Sequence, residues 1–269
     1  METRAIGSLT LYFDAEEGAA AELIGSACER SLDLIRELWG LEAPEDCRVY
    51  VMTSWPHTLF HAAPWPWRVY LAMTLPLRYG RIQKMWGVAG GWAQRYGQRR
   101  VIGIKPPRLL QKVDAGLRER VFVRRDADEW VQHNTCHELV HACSDHLGLL
   151  AWLHEGLAMV TVDRLAGRPT VKAETLAALA SRSGELGPQG RARALSADPE
   201  ALVYLAVRGY WITRYLAEVE PGLLKAQLAR PQSHEALEGA LAAGLEMSRE
   251  EFGDQIDGVV ATHFSAVSP

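Results

Sequence analysis

The chain has 269 residues, of which 48% are hydrophobic and 23% charged, with a net charge of −4. That is enough apolar material for one large domain or two subdomains, and no run of about eighteen uninterrupted apolar residues offers a membrane span. The first residues, Met1-Glu2-Thr3-Arg4-Ala5-Ile6-Gly7, lack the basic and then apolar pattern of a secretory signal, so a cytoplasmic location is expected.

In chain order, Ser8 to Phe13 alternates as a strand, Ala19 to Leu38 has helical apolar spacing closed by Gly40, and Arg48 to Thr53 is a short apolar strand. The stretch Trp55 to Arg100, rich in Trp, Pro, Gly and Arg, reads as sheet edge plus loops. Val69 to Met73 and Val101 to Ile104 are the expected strands here. From Asp126 onward the pattern is almost wholly helical: Asp126 to Leu147, Leu153 to Leu165, Ala173 to Ala180, Pro199 to Val219, Gly222 to Ala229 and Ser248 to Val260. Ser181 to Ser196, with four glycines or prolines and scattered charges, is the expected flexible loop. These elements make an α+β fold, with an N-terminal α+β subdomain over 1–125, a mainly α-helical subdomain over 126–269, and the functional cleft expected between them.

Charge is unevenly spread. From Cys47 through Val113 there are eleven Lys or Arg and no Asp or Glu, leaving 29 − 11 = 18 basic and 33 acidic residues elsewhere, a balance of −15. The same region holds Trp55, Trp65, Trp67, Trp86 and Trp92. Arginine interleaved with aromatics can bind single-stranded nucleic acid, but no nucleic-acid motif accompanies it, and nucleic acid is not the expected partner. A solvated basic face is the plain reading, and a groove for acidic peptides the functional one. The four cysteines are expected as reduced, core-packed thiols. Cys136 and Cys143, seven residues apart on one helix, would stand about 10 Å from each other, too far to bridge, and Cys28 and Cys47 have no metal-ligand spacing.

The most informative stretch is His137-Glu138-Leu139-Val140-His141. On a helix, residues i and i+4 share one face, so both imidazoles can reach one ion, and Glu138, offset by roughly 100°, lies beside the open position as a base. The helix itself reads from an Asp126-x-x-Glu129 capping box to Gly148. Winding it places His133, Asn134, His137, Glu138, His141, Ser144 and Asp145 in one sector of roughly 140°, while the remaining surface is apolar. A buried helix with a narrow polar stripe needs something to satisfy that stripe, and a metal with its surroundings would do so. His133, one turn before His137, is better read as a hydrogen-bonded histidine than as a fourth ligand, which would close the position water needs.

A catalytic zinc keeps three protein ligands, so a third donor should follow. Trp152-Leu153-His154-Glu155-Gly156-Leu157-Ala158 resembles the W-x-x-E-G-x-A segment of gluzincin metallopeptidases, the clan of thermolysin and the aminopeptidase-N-like enzymes. The interval after His141 is shorter than in thermolysin and looks more like compact bacterial peptidases of this kind. The resemblance implies a thermolysin-like architecture, Zn2+ held by His137, His141 and Glu155, and Glu138 as the catalytic base in peptide-bond hydrolysis. His146 falls on the opposite side of its helix from the histidine pair, and His154 would compete with Glu155 only if the second helix were rotated. The metzincin pattern fails, because Ser144 and Leu147 stand where it needs glycine and histidine.

The same resemblance implies an oxyanion donor from a later helix. Tyr204-Leu-Ala-Val-Arg-Gly-Tyr210-Trp-Ile-Thr-Arg-Tyr-Leu216 is similar to the clan's tyrosine-bearing helix, which makes Tyr204 the first candidate and Tyr210 the second. Clan aminopeptidases hold the substrate amine with a Gly-x-Met-Glu-Asn glutamate. Here the corresponding stretch reads Gly87-Val-Ala-Gly-Gly91-Trp92-Ala, with no carboxylate, so an internal cut or a preference for acidic peptides is expected. Gly90, Gly91 and the following strand could form an edge that pairs with an extended substrate. The alternative function is a zincin-like protein of little or no activity that uses zinc structurally and binds an acidic partner or nucleic acid through residues 47–113.

Overall fold

The computed structural model describes residues 1–111, 116–181 and 199–267, and the expected loop at Ser181 to Ser196 lies, apart from Ser181, outside them. The fold is α+β, with one mixed five-stranded sheet and a predominance of helix. Two compact units divide it: Met1–Leu34, Glu42–Arg118 and Arg124–Cys143 form one, and Ile35–Leu41, Glu119–Val123 and Ser144–Pro269 the other. Among the described residues no helix is long and apolar enough to cross a membrane.

The first unit is built on the sheet, in the order β1-β2-β3-β5-β4. β1 (Glu2–Ile6) and β2 (Leu9–Phe13) form an antiparallel hairpin turned at Gly7, whose φ of +56° suits glycine. β3 (Cys47–Val51) runs parallel to β2, so it needs a crossover, which α1 (Gly18–Trp39) supplies. After α2 (Trp55–Ala62) and α3 (Trp65–Val88), β4 (Gly91–Tyr96) pairs antiparallel with β5 (Arg99–Ile104), which lies parallel to β3. The short α4 (Pro107–Leu110) and α5 (Gly116–Val121) follow, and then α6 (Ala127–Ser144). β1 was not expected, because only Ile6 of its five residues is buried and the strand carries no alternation to read.

Alternation divides the inner strands between two cores. On one face Leu9, Leu11, Val49, Ile102 and Ile104 are at most 1% exposed. Cys47 on this face is buried, as are Cys28 of α1 and Cys143 of α6. Arg30 Nη2 donates to Gln132 Oε1 at 2.6 Å, tying α1 to α6. On the other face Tyr50, Tyr96 and Val101 pack with Ala62 and Ala63, joined by Tyr12 and by Leu71 of α3.

The expectation of loops and a strand between Trp55 and Arg100 is corrected by two helices. Ser54 Oγ accepts from His57 N at 3.4 Å and Pro56 sits in the first turn, which starts α2. Val69 to Met73, read as a strand, lies inside α3. A five-residue apolar run fits either period, and here helical spacing prevails, with Leu71, Leu75, Ile82 and Trp86 all half-buried on one side.

The second unit is helical: α7 (Ala151–Ala166), α8 (Thr175–Ser181), α9 (Pro199–Val219), α10 (Leu223–Gln227), α11 (His234–Gly244) and α12 (Arg249–Val267). Its centre is the crossing of α7 and α9. A Cβ on Gly156 would lie 2.2 Å from the Gly209 carbonyl oxygen, and one on Gly209 would lie 2.0 Å from the Trp152 carbonyl oxygen. The two helices therefore meet backbone on backbone, which only glycine allows at both positions. Trp39 Nε1 donates to Thr161 Oγ1 of α7 at 2.7 Å, and Trp211 Nε1 donates to Thr175 Oγ1 at 3.0 Å.

Candidate metal centre

α6 has the boundaries its sequence implies. Asp126 Oδ1 accepts from Glu129 N at 2.8 Å at the start, and a 3-10 turn over Asp145–Leu147 ends at Gly148 with φ of +60°. Val131, Cys136, Leu139 and Val140 are fully buried. The polar stripe thus cannot turn to water without exposing this apolar surface.

His137 and His141 stand one turn apart with their Nε2 atoms 3.0 Å from each other. Glu155 lies in the second turn of α7, and ligand atoms of His137, His141 and Glu155 all fall within 4.8 Å of one another. The donor set is one that could hold a metal ion. At the usual distances near 2.1 Å, two ligands of a tetrahedral ion lie about 3.3 Å apart, close to the histidine spacing, and the carboxylate needs an adjustment of at most about 1.5 Å.

The rival histidines stand elsewhere in the network. Arg125 Nη1 hydrogen-bonds His133 Nδ1, and since a guanidinium can only donate, that nitrogen is the acceptor and its lone pair is already used. The Arg125 guanidinium also lies 3.9 Å from the centre of the Trp130 ring. His146 is exposed on the 3-10 turn and His154 is buried within α7, and neither belongs to the three-residue group.

Glu138 is placed by the start of the edge strand. A Cβ on Gly91 would lie 2.7 Å from Glu138 Cγ and 3.0 Å from Oε1, and one on Gly90 would lie 2.1 Å from Asn134 Nδ2. The glycine pair lets the β4 backbone settle directly onto two side chains of α6. Lys105 fixes the bend leading into it: its backbone N–H donates to Gly90 O at 3.0 Å, while its buried ammonium donates to Trp86 O and lies 4.1 Å from the centre of the Trp86 ring. Sequence reasoning did not assign Asn134 or Lys105 a part here. The signal for Asn134 was present, since it shares a helix sector with Glu138, whereas nothing in the sequence marks Lys105.

Each candidate tyrosine sits in a buried ionic cluster. Tyr204 OH donates to Asp257 Oδ2 at 3.1 Å, and Arg208 Nε donates to Asp257 Oδ1 at 2.8 Å. Tyr210 OH donates to Asp163 Oδ2 at 2.7 Å and accepts from Arg214 Nη1 at 3.1 Å. Burial, with the Asp163 charge added, pushes the Tyr210 phenol well up, and burial also raises the Asp163 carboxyl despite bonds from Thr170 and Tyr210.

No family model, curated protein or solved structure matches the chain. The chemical reading of the site rests on its residues: two imidazoles and one carboxylate able to hold a cation, with Glu138, next to His137 in the chain, packed on Gly91 at the head of the edge strand.

Proposed function

We propose that the protein is a zinc-dependent metallopeptidase of gluzincin type and thermolysin-like architecture, with His137, His141 and Glu155 as ligands and Glu138 as general base. The observation that carries this reading is the convergence of the two α6 histidines and Glu155 within 4.8 Å. Zinc held by two imidazoles and a carboxylate supplies a Lewis acid and brings the pKa of water at its open position toward about 7.

The remaining work belongs to the chain. Glu138 takes the proton of the attacking water and returns it to the leaving nitrogen, so one carboxylate serves both steps. β4 has a strand neighbour, β5, on one side only among the described residues, so its other edge can pair with an extended peptide. Gly91 at the head of that strand brings the paired backbone to Glu138. The oxyanion donor is assigned first to Tyr204 and second to Tyr210, and either must release its carboxylate partner to serve. The acid-free segment offers no carboxylate to hold a substrate amine, which favours internal cuts and acidic peptides over aminopeptidase action.

The test is metal analysis joined to cleavage of a peptide library read by mass spectrometry. One zinc per chain and cleavage lost in Glu138→Gln are the expected results. Iron is the competing occupant of a two-histidine, one-carboxylate set, and stoichiometric iron without peptide cleavage would replace this reading. Undiminished cleavage by Glu138→Gln would remove the proposed base.

A further inference from the structure

α3 has two apolar sides where a surface helix of a folded domain has one. Its inner side is accounted for: Leu71 packs on the Tyr50 core, and Leu75, Ile82 and Trp86 are half-buried with it. Its outer side carries Trp65, Val69, Met73 and Leu77, spaced by four residues and therefore stacked in one row. These four are 72%, 39%, 68% and 89% exposed. At 1.5 Å per residue the row is about 18 Å long. Of the large hydrophobic side chains exposed among the described residues, all except Met1 lie on this helix. Trp67, Tyr70 and Tyr79 are the others, with Trp67 in ring contact with Tyr70 and Tyr79 with Trp55.

The charge of the helix selects a partner. α3 contains Arg68, Arg78, Arg81 and Lys84 and no acid, and it lies within the acid-free stretch from Cys47 to Val113. Exposed apolar rows on soluble proteins mark contact surfaces, because monomers rarely leave such continuous apolar area in water. An open apolar row bordered by Tyr70 and Tyr79, on a helix whose sequence is basic and acid-free, matches the headgroup region of an anionic bilayer. Aromatic rings settle at that depth, and each basic residue near the surface adds attraction. The row includes no hydrogen-bonding side chain after its N-terminal indole. This suits immersion in lipid more than a side-specific protein contact.

We infer that α3 is a peripheral membrane-docking helix that lays Trp65, Val69, Met73 and Leu77 into the surface of an anionic bilayer. The helix lies flat in the interface and does not span it. The inference is independent of the hydrolytic reading and uses none of its residues.

The test is flotation of the full chain with vesicles of phosphatidylcholine alone and of phosphatidylcholine with 30 mol% phosphatidylserine, at roughly 0.1 and 0.5 M salt. Anionic vesicles should bind the protein at least about tenfold more strongly than neutral ones at low salt, with the difference shrinking at high salt. Leu77→Glu and the double variant Met73→Glu/Leu77→Glu change exposed side chains, so both should keep the wild-type circular dichroism spectrum while losing about tenfold or more in vesicle binding. A second readout does not depend on the glutamate variants: brominated lipids should quench the tryptophan emission of the wild-type protein, and Trp65→Phe should reduce the quenching. Absence of binding to anionic vesicles overturns the inference, as does equal binding by the double variant. Self-association lost in the double variant, or capture of polyglutamate without vesicle binding, would likewise overturn it in favour of a protein partner.

Discussion

Gly91 and Glu138 meet with no room for a side chain between them: a methyl group on the glycine would lie 2.7 Å from Glu138 Cγ. Gly91→Ala should therefore displace either the edge strand or the carboxylate. Turnover should fall by about 10²-fold, the effect of moving a reacting group by roughly an ångström, while bound zinc is unchanged. Peptidase kinetics alongside metal content check this, and undiminished kcat would mean that Glu138 does not act from this position.

Glu138→Gln and His137→Ala should fail in different ways. On the proposed mechanism the amide keeps the shape of Glu138 but cannot take a proton, so about 10² to 10⁴-fold of activity should be lost with zinc retained. If His137 is one of three ligands, as proposed, removing its imidazole should release the zinc itself. Mass-spectrometric metal content separates the two.

The crossing of α7 and α9 is expected to be the least forgiving place in the helical unit. Gly156→Ala sets a methyl against the Gly209 carbonyl and Thr213, and Gly209→Ala sets one against the Trp152 carbonyl. Each should destabilise by about 1–3 kcal/mol or more, since backbone offers no flexible end to move aside. Thermal melting of the two variants tests this.

The Asp257 cluster should divide unequally between its partners. Arg208→Met leaves a carboxylate that is 4% exposed without its cation, at a cost of about 3–5 kcal/mol, whereas Tyr204→Phe removes one hydrogen bond worth about 1 kcal/mol. If Tyr204 also donates to the oxyanion, kcat of Tyr204→Phe will fall far more than its melting temperature suggests. The same comparison applied to Tyr210→Phe decides between the two tyrosines.

Asp46 gives a pH dependence with a definite sign. Burial alone would raise its pKa, but hydrogen bonds from Arg48 Nε at 2.8 Å and Arg99 Nε at 3.0 Å outweigh it and hold the carboxyl below its usual value. Its stabilising share is present above the ordinary aspartate value near 4 and is lost as pH falls through the lowered one. Because the side chain is 41% exposed, the share is less than about 1 kcal/mol. The melting gap between wild type and Asp46→Asn should be open at neutral pH and close in strong acid.

The helical half and the histidine helix were legible because their signals are local: the Asp126 cap, the Gly148 terminus and the i, i+4 pair each need only neighbours in sequence. Pro199–Val219 was read to its ends for the same reason. α3 was misread because Val69 to Met73 is apolar on the inner and outer sides alike, which removes the period that distinguishes helix from strand. α11 went unread in a run rich in alanine and glycine, although Ser233 caps it by accepting from Ala236 N at 3.1 Å. At the site, the histidines and Glu155 were readable as a pattern, but the reasons for Gly91, Gly156 and Lys105 lie in contacts between elements far apart in the chain.

All four cysteines are buried and unbridged, and burial pushes Cys47 and Cys136 up to about 12 and Cys28 and Cys143 higher still. At neutral pH none of them is a thiolate, so maleimides and alkylating probes should pass the native protein by. A single cysteine introduced at an exposed position would then be the only reactive handle on the molecule, and one chosen on the outer row of α3 could report the depth and tilt of that helix without any native residue being removed.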